Sequence, residues 1–556
     1  MIERLAYMYP EIALFITTCV VMVVGLSRVQ ATRNATAVMA GLGIVIAGVL
    51  AFVTTPTGAD AADKAAGQVL LPNLAMYMKV VIAGVGLLLL LVQAGTVDRV
   101  EEGLISAGAR GYDALRANRA EYYAFFLFSL TGLMLCASAD SLIWLFLALE
   151  LTSLPTYIMV TISSARNKSR EAGVKYFFLG ALGAAVFLYG FALLYGGTGS
   201  TNLNQIAFSF SAHGINSIAM AGLLVSILGL CFKIAAVPMH FYTADVYEGA
   251  APQVSGFLAF VPKAAGFIAL MLVLSAAGWR FERGAAAPSL SDVLQGGVTR
   301  ASEFGHSLPE SVRLMLWVIA ALTMTIGNVL ALLQTSVKRT LAYSSIAHSG
   351  YMLVGLIAGP ADSFARSGIA AVLFYLLSYG VMSTGTFAVL AALERRAGPD
   401  GEAREVDQMD DLRGLTATQP VLGWVMTICS LSLLGLPPLL GFFGKLPLFT
   451  SAIHAKEYVL VVVLGINSAI AAFYYLRLAF LPFLEKKDEF VEVVGVSPFP
   501  SRVLGAVVSA AGVIVLAVVG GRVMDTVQSA ATTGVQAGPM PAIEPVHAKT
   551  TGEPGV

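Results

Sequence analysis

Long apolar runs, separated by short polar loops, fill most of this chain. A membrane span needs about 20 mostly apolar residues. Such runs lie near 10–27, 35–54, 71–94, 122–139, 141–163, 172–195, 215–237, 252–276, 313–334, 339–358, 366–393, 419–450, 458–483 and 502–520. They predict roughly fourteen transmembrane helices. The run at 419–450 is too long for one straight span and predicts a break or kink. Three stretches do not fit a span. Residues 95–120 mix charges and predict at most a short surface helix, residues 280–312 form a polar insertion, and residues 522–556 predict disorder.

Two apolar runs carry prolines with small neighbours: Val237-Pro238 in the seventh and Leu436-Pro437-Pro438 in the twelfth. A proline frees a carbonyl about one turn upstream. In lipid this is tolerated only where protein or a water-filled cavity supplies a partner. Interrupted helices at matching places in two halves mark transporter repeats. The offset is five helices, and an odd offset turns the second unit over. Helices four to eight and nine to thirteen are therefore candidate inverted copies. The match is one of shape, since Lys233 precedes its proline and Lys445 follows its pair.

The chain is 57% hydrophobic and 12% charged, where soluble domains carry about 25% charged residues. The fold class expected is an all-α polytopic membrane protein. Formal net charge is +0, which argues against nucleic acid as a partner. Cys19, Cys136, Cys231 and Cys429 lie far apart in apolar runs, without metal-ligand spacing. No strand-then-GxGxxG pattern is present, so no dinucleotide site is expected. The start, MIERLAYMYP, lacks a small-residue cleavage site and reads as a retained first helix. Lys and Arg concentrate in loops after odd-numbered helices, including Arg28, Arg33, Arg166, Lys168, Lys338 and Arg339. Those loops should face the cytoplasm and both termini the other side, the periplasm of a bacterial inner membrane.

The candidate chemistry lies in charges buried within these spans. Glu150 sits near the middle of SLIWLFLALELTSLPTYIMV, and Lys233, Lys263 and Lys445 occupy FKIAAVP, FVPKAAGF and GFFGKLPLF. A cation at mid-membrane costs roughly 2.5–3.5 kcal/mol on insertion scales, so such residues mark charge-handling paths. Desolvation weakens an amine's hold on its proton and a nearby carboxylate restores it. A lysine beside a movable acid is thus a loading site. A static ion pair is the plain alternative for each. Lys175 and Lys79 lie close enough to helix starts to snorkel. His240 and His348 titrate near neutrality and can relay protons, or serve as hydrogen-bonded structural residues. Asp245 and Glu248 follow the first break and read equally well as loop or capping acids.

Residues 117–157, 173–199, 232–267, 327–356 and 431–449 resemble the antiporter-like membrane-arm subunits of NADH:quinone oxidoreductase, respiratory complex I. The likeness runs over roughly 115–485, and DVYEGA (245–250) resembles subunit N against its sister subunits. It implies about fourteen helices, two inverted five-helix repeats and discontinuous helices 7 and 12. The divisions are 1–120 (three helices and a connector), 121–276 (first repeat), 277–312 (insertion), 313–484 (second repeat), 485–521 (last helix) and 522–556 (tail). It assigns Glu150 and Lys233 as a coupled pair, Lys263 as central relay, Lys445 as the second-half lysine and Lys175 as a lysine beside the pair. His240 and His348 fall in matching motifs. Tyr242-Thr243-Ala244 stands where the family usually has Trp-Thr-Pro, and Ala251-Pro252-Gln253 departs from a Pro-x-Pro pattern.

The implied function is proton translocation coupled to quinone reduction elsewhere. A proton would pass from Lys233 through water and His348 to Lys263, then to Lys445. No cofactor is expected in this chain; NADH, FMN, iron–sulfur clusters and quinone belong to partner subunits. The partners implied are sister antiporter-like and other membrane-arm subunits, and the bilayer. Competing readings are a cation/proton antiporter subunit, a non-conducting assembly scaffold and a ferredoxin-driven relative.

Overall fold

The computed structural model describes residues 7–27, 29–54, 71, 73–94, 119–164, 166–279, 308–396, 403–485, 494–496 and 500–531. The connector at 95–118, the insertion from 280 to 307 and the tail beyond 531 lie outside the described residues. The N-terminal segment is α1 (Tyr9–Gly25), α2 (Gln30–Thr54) and α3 (Leu74–Gln93). Next come α4 (Arg119–Ala137), α5 (Leu142–Ile162), α6 (Asn167–Thr198), α7 (Leu203–His213), α8 (Ser217–Lys233), α9 (Thr243–Gly249) and α10 (Pro252–Ala277). The second half holds α11 (Glu310–Leu332), α12 (Val337–Ala358), α13 (Gly368–Ala392), α14 (Leu415–Thr418), α15 (Pro420–Leu434), α16 (Leu440–His454) and α17 (Tyr458–Phe480). Helix α18 (Pro500–Ala531) closes the chain.

Eleven of these helices are long and apolar enough to cross a membrane, and α1, α8 and α15 are shorter apolar helices. The protein is a multi-pass membrane protein. Helix starts follow local chemistry. Ser141, Asn202, Asn216, Ser336 and Ser367 each accept a hydrogen bond from a first-turn amide, which satisfies donors that have no partner within the helix. Pro252 and Pro420 open α10 and α15, where a missing N–H costs nothing.

Both expected breaks are present. The first separates α8 from α9 at residues 234–242 and the second separates α15 from α16 at 435–439. Val237-Pro238 and Pro437-Pro438 are cis. Side chains satisfy the backbone freed at the first break. Thr323 accepts from the Val237 amide at 3.0 Å, Ser349 donates to the Ile234 carbonyl at 2.6 Å, and the Tyr242 hydroxyl donates to the Phe232 carbonyl at 2.8 Å. Tyr242 stacks on Phe232 at 4.3 Å and on Tyr176 at 5.4 Å. Tyr242 therefore caps the end of α8 from within the break.

Helix α10 is buried along its entire length and packs on helices of the N-terminal segment and of both halves, α3, α5, α12 and α13 among them. Helices α12 and α13 are nearly as enclosed. This inner group holds Lys263 and His348. Helices α6 and α8 pack closely because glycines face backbone. A Cβ on Gly190 or Gly229 would collide with the main chain of Ser226 or Phe187, the small-residue contact used between membrane helices.

Three elements differ from the sequence expectation. Helix α7 lies outside the apolar runs given above, started by the Asn202 cap and held by buried Leu203, Ile206 and Phe210. Three short strands, Leu393–Arg396 (β1), Ala403–Glu405 (β2) and Val494–Val496 (β3), form an antiparallel sheet ordered β2-β1-β3. The last helix continues to Ala531, so residues 522–531 are helical rather than disordered. Their composition is polar, but Val527, Ala530 and Ala531 are buried. Gln528 also donates to the Ala361 carbonyl at 2.9 Å, and the Ser529 carbonyl accepts from Asn73 at 3.0 Å.

Candidate functional site

Lys233 is the last residue of α8, at the first break. Its Nζ lies 3.0 Å from Glu150 Oε1 of α5, 2.7 Å from Ser153 Oγ one turn on, and 5.4 Å from the Phe187 ring centroid. The lysine side chain is 2% exposed and the glutamate 19%. The pair is therefore enclosed on the lysine side and more open on the acid side.

A small cavity lies between Lys233 and Lys263, lined also by Tyr176, Tyr242, Thr243 and Tyr247. It is about the size of one water molecule. Lys263, on α10, donates to the Ser345 carbonyl and to Ser349 Oγ at 3.1 Å. Ser349 in turn donates to the Ile234 carbonyl, next to Lys233. Lys263 thus meets the first break through one hydroxyl.

Lys445, on α16, reaches across the second break. Its Nζ donates to the Leu434 carbonyl at 2.8 Å and lies 5.1 Å from the Tyr351 ring centroid. Leu434 ends α15, where carbonyl dipoles favour a cation. Among the described residues no carboxylate stands within ion-pair distance of Lys263 or Lys445. Carbonyls and hydroxyls hold these two amines, so a static ion pair describes neither.

His348 is fully buried on α12. Its Nδ1 lies 2.6 Å from the Tyr375 hydroxyl and its Nε2 lies 2.6 Å from the Tyr475 hydroxyl, which also meets Ser344. The implied path runs from Lys233 through His348 to Lys263; Lys263 also meets the first break without the imidazole, through Ser349. His240 sits half-buried in the first break, its ring Nδ1 without a hydrogen-bond partner.

Lys175 takes partners other than Glu150. It is 44% exposed and pairs with Glu171 at 2.8 Å and Asp245 at 3.2 Å. Asp245 and Glu248 do more than cap a loop. Arg339 bridges them at 2.9 and 2.8 Å, Lys168 pairs with Glu248 at 3.1 Å, and Lys338 donates to the Glu248 and Ala250 carbonyls. This cluster ties α9 to α6 and α12.

One buried pair escaped the sequence reading. Lys79 Nζ lies 2.7 Å from Glu11 Oε1, with both side chains at 3% exposure or less. Ser138 donates to the same carboxylate at 3.1 Å, and the Lys79 amine also donates to the Tyr7 carbonyl. Lys79 therefore does not snorkel. The signal available was an acid and a base one turn inside the first and third spans.

The family model described as NADH:quinone oxidoreductase/Mrp antiporter, TM, matches residues 139–285 and 295–471. NADH-quinone oxidoreductase subunit N of Trichlorobacter lovleyi is 34% identical over 94% of this chain and 96% of its own. Subunit N 1 of Rhizobium meliloti is 35% identical over 89% and 92%. Among solved structures, a chain of respiratory complex I from Thermus thermophilus with bound Aureothin superposes with a TM-score of 0.69 at 28% identity, covering 94% of this chain and 99% of that one. A chain of the Mrp complex from Dietzia shares the fold at 18% identity, with a TM-score of 0.67 and coverage of 96% and 97%.

Proposed function

Because this chain belongs to the family of NADH-quinone oxidoreductase subunit N, we propose that it conducts protons through the bilayer along Glu150, Lys233, Lys263, His348 and Lys445. The observation that carries this reading is the set of buried amines placed at two helix breaks, of which Lys233 and Lys263 share one water-sized cavity. A cation at such depth is costly, and residues of this kind mark ion and proton pathways. In this reading helices α4–α10 and α11–α17 act as inverted halves of a fourteen-helix fold, with α8–α9 and α15–α16 as the seventh and twelfth spans.

Lys233 loads a proton while Glu150 is near. Withdrawal of the carboxylate releases it through the cavity toward Lys263, and His348 carries it on toward Lys445. Moving one charge against 100 mV costs about 2.3 kcal/mol, and each tenfold change in proton affinity supplies about 1.36 kcal/mol. Loss of one close carboxylate meets the electrical cost. Entry from the cytoplasm, exit to the periplasm, and coupling to quinone reduction in partner subunits complete the proposal.

The test is replacement of Lys233 or Lys263 by Ala in the assembled complex, reconstituted in vesicles. Protons moved per electron should fall while the complex stays assembled. An unchanged ratio in both variants favours a scaffold and ends this reading. Sodium flux without quinone turnover would instead favour the antiporter reading.

A further inference from the structure

His348 is bracketed as no other histidine among the described residues is. Each ring nitrogen faces a tyrosine hydroxyl at 2.6 Å, Tyr375 of α13 on one side and Tyr475 of α17 on the other. All three side chains are essentially buried. An imidazole with one N–H needs an acceptor at that nitrogen and a donor at the other, and a hydroxyl can serve as either. The two hydroxyls therefore fit both tautomers equally.

The bracket also has two distinct ends. The Tyr475 hydroxyl meets Ser344, the neighbour of Ser345, whose carbonyl holds the Lys263 amine. The Tyr375 ring packs against Gly444, the neighbour of Lys445. Tyr379 lies as close to the imidazole, 4.9 Å between centroids, yet makes no hydrogen bond to it. Hydroxyl placement therefore separates Tyr375 and Tyr475 from Tyr379, which meets the imidazole through its ring alone.

We propose that Tyr475 and Tyr375 carry the proton past His348, as a hydroxyl–imidazole–hydroxyl relay between the Lys263 and Lys445 sides. This rests on the proton-conducting reading above. A proton arriving at the Tyr475 oxygen displaces that hydroxyl's own proton to Nε2. The Nδ1 proton passes to the Tyr375 oxygen, whose original proton leaves toward Lys445. No charge is created or lost, and the imidazole ends in the opposite tautomer. Rotation of the two hydroxyls and return of the tautomer reset the path.

The test uses the intact complex in vesicles, with Tyr475→Phe, Tyr375→Phe, Tyr379→Phe and His348→Ala. Positioned proton donors contribute about 10²–10⁴-fold to transfer steps. Each of the first two variants should slow proton movement through this subunit by at least roughly 10²-fold and lower protons per electron to the His348→Ala value. Tyr379→Phe should keep the wild-type ratio. A fluorinated tyrosine at 475 keeps shape and fold but acidifies the hydroxyl, and should displace the pH profile of pumping. Wild-type ratios in both Phe variants, or an unmoved profile with the fluorinated residue, overturn the relay. If Lys263→Ala also pumps normally, the conducting reading itself falls. If Lys263→Ala fails while the tyrosine variants pump, only the relay falls.

Discussion

Lys233 and Lys79 each meet a carboxylate in the protein interior, whereas Lys263 and Lys445 are held by uncharged oxygens. Breaking a buried pair by removing one partner costs about 3–5 kcal/mol, while replacing both partners with apolar groups of similar volume is often neutral. Glu11→Ala should therefore lower the detergent-solubilised complex's unfolding temperature by several degrees. Glu11→Leu combined with Lys79→Met should recover most of the loss, and equal losses in the single and double variants would remove the pair from the account. The sequence made Glu150, Lys233, Lys263, Lys445 and His348 legible because an ionisable group deep in an apolar run is conspicuous. Glu11 was not, since an acid in the first turn of a helix is ordinary. Tyr375 and Tyr475 were hidden for a similar reason: tyrosine is common in apolar runs, and only placement distinguishes a hydroxyl that bonds an imidazole.

At the scale of elements, the two interrupted spans were legible from their prolines, because a missing N–H has a fixed structural cost. What fills that cost was not. Thr323 and Ser349 come from other parts of the chain, and their approach to residues 234–237 depends on packing; Tyr242 lies in the break itself, but its return onto Phe232 is equally a matter of packing. The ion cluster around Arg339 was equally invisible, being assembled from α6, α9 and α12. Placement of Lys233 depends on α8 lying flush against α6. Gly229 has the Phe187 main chain where a side chain would go. Gly229→Leu should cost about 1–3 kcal/mol or more through overpacking and carry Lys233 away from Glu150. Its expected signature is reduced assembly together with lost pumping; a fully assembled, normally pumping variant would show that α8 tolerates displacement.

At the scale of the molecule, α18 runs along α13 and α3 and ends packed between loops near Asn73 and Ala361. Polar composition concealed its last turns, which are stabilised by contacts far away in sequence. Val527→Asp would bury an unpaired charge and should cost at least roughly 2 kcal/mol. Limited proteolysis should then cut within 521–531, and an unchanged digestion pattern would show that these turns do not depend on Val527. The two interruptions finally set the halves of the molecule apart. The first holds its lysine with a carboxylate on rotatable bonds, the second with a main-chain oxygen fixed at a helix end. A rotating arm can let go; an oxygen built into the scaffold cannot. Along the proposed path, the first interruption is thus the one where withdrawal of a side chain would free a lysine, while at the second the main chain itself would have to move.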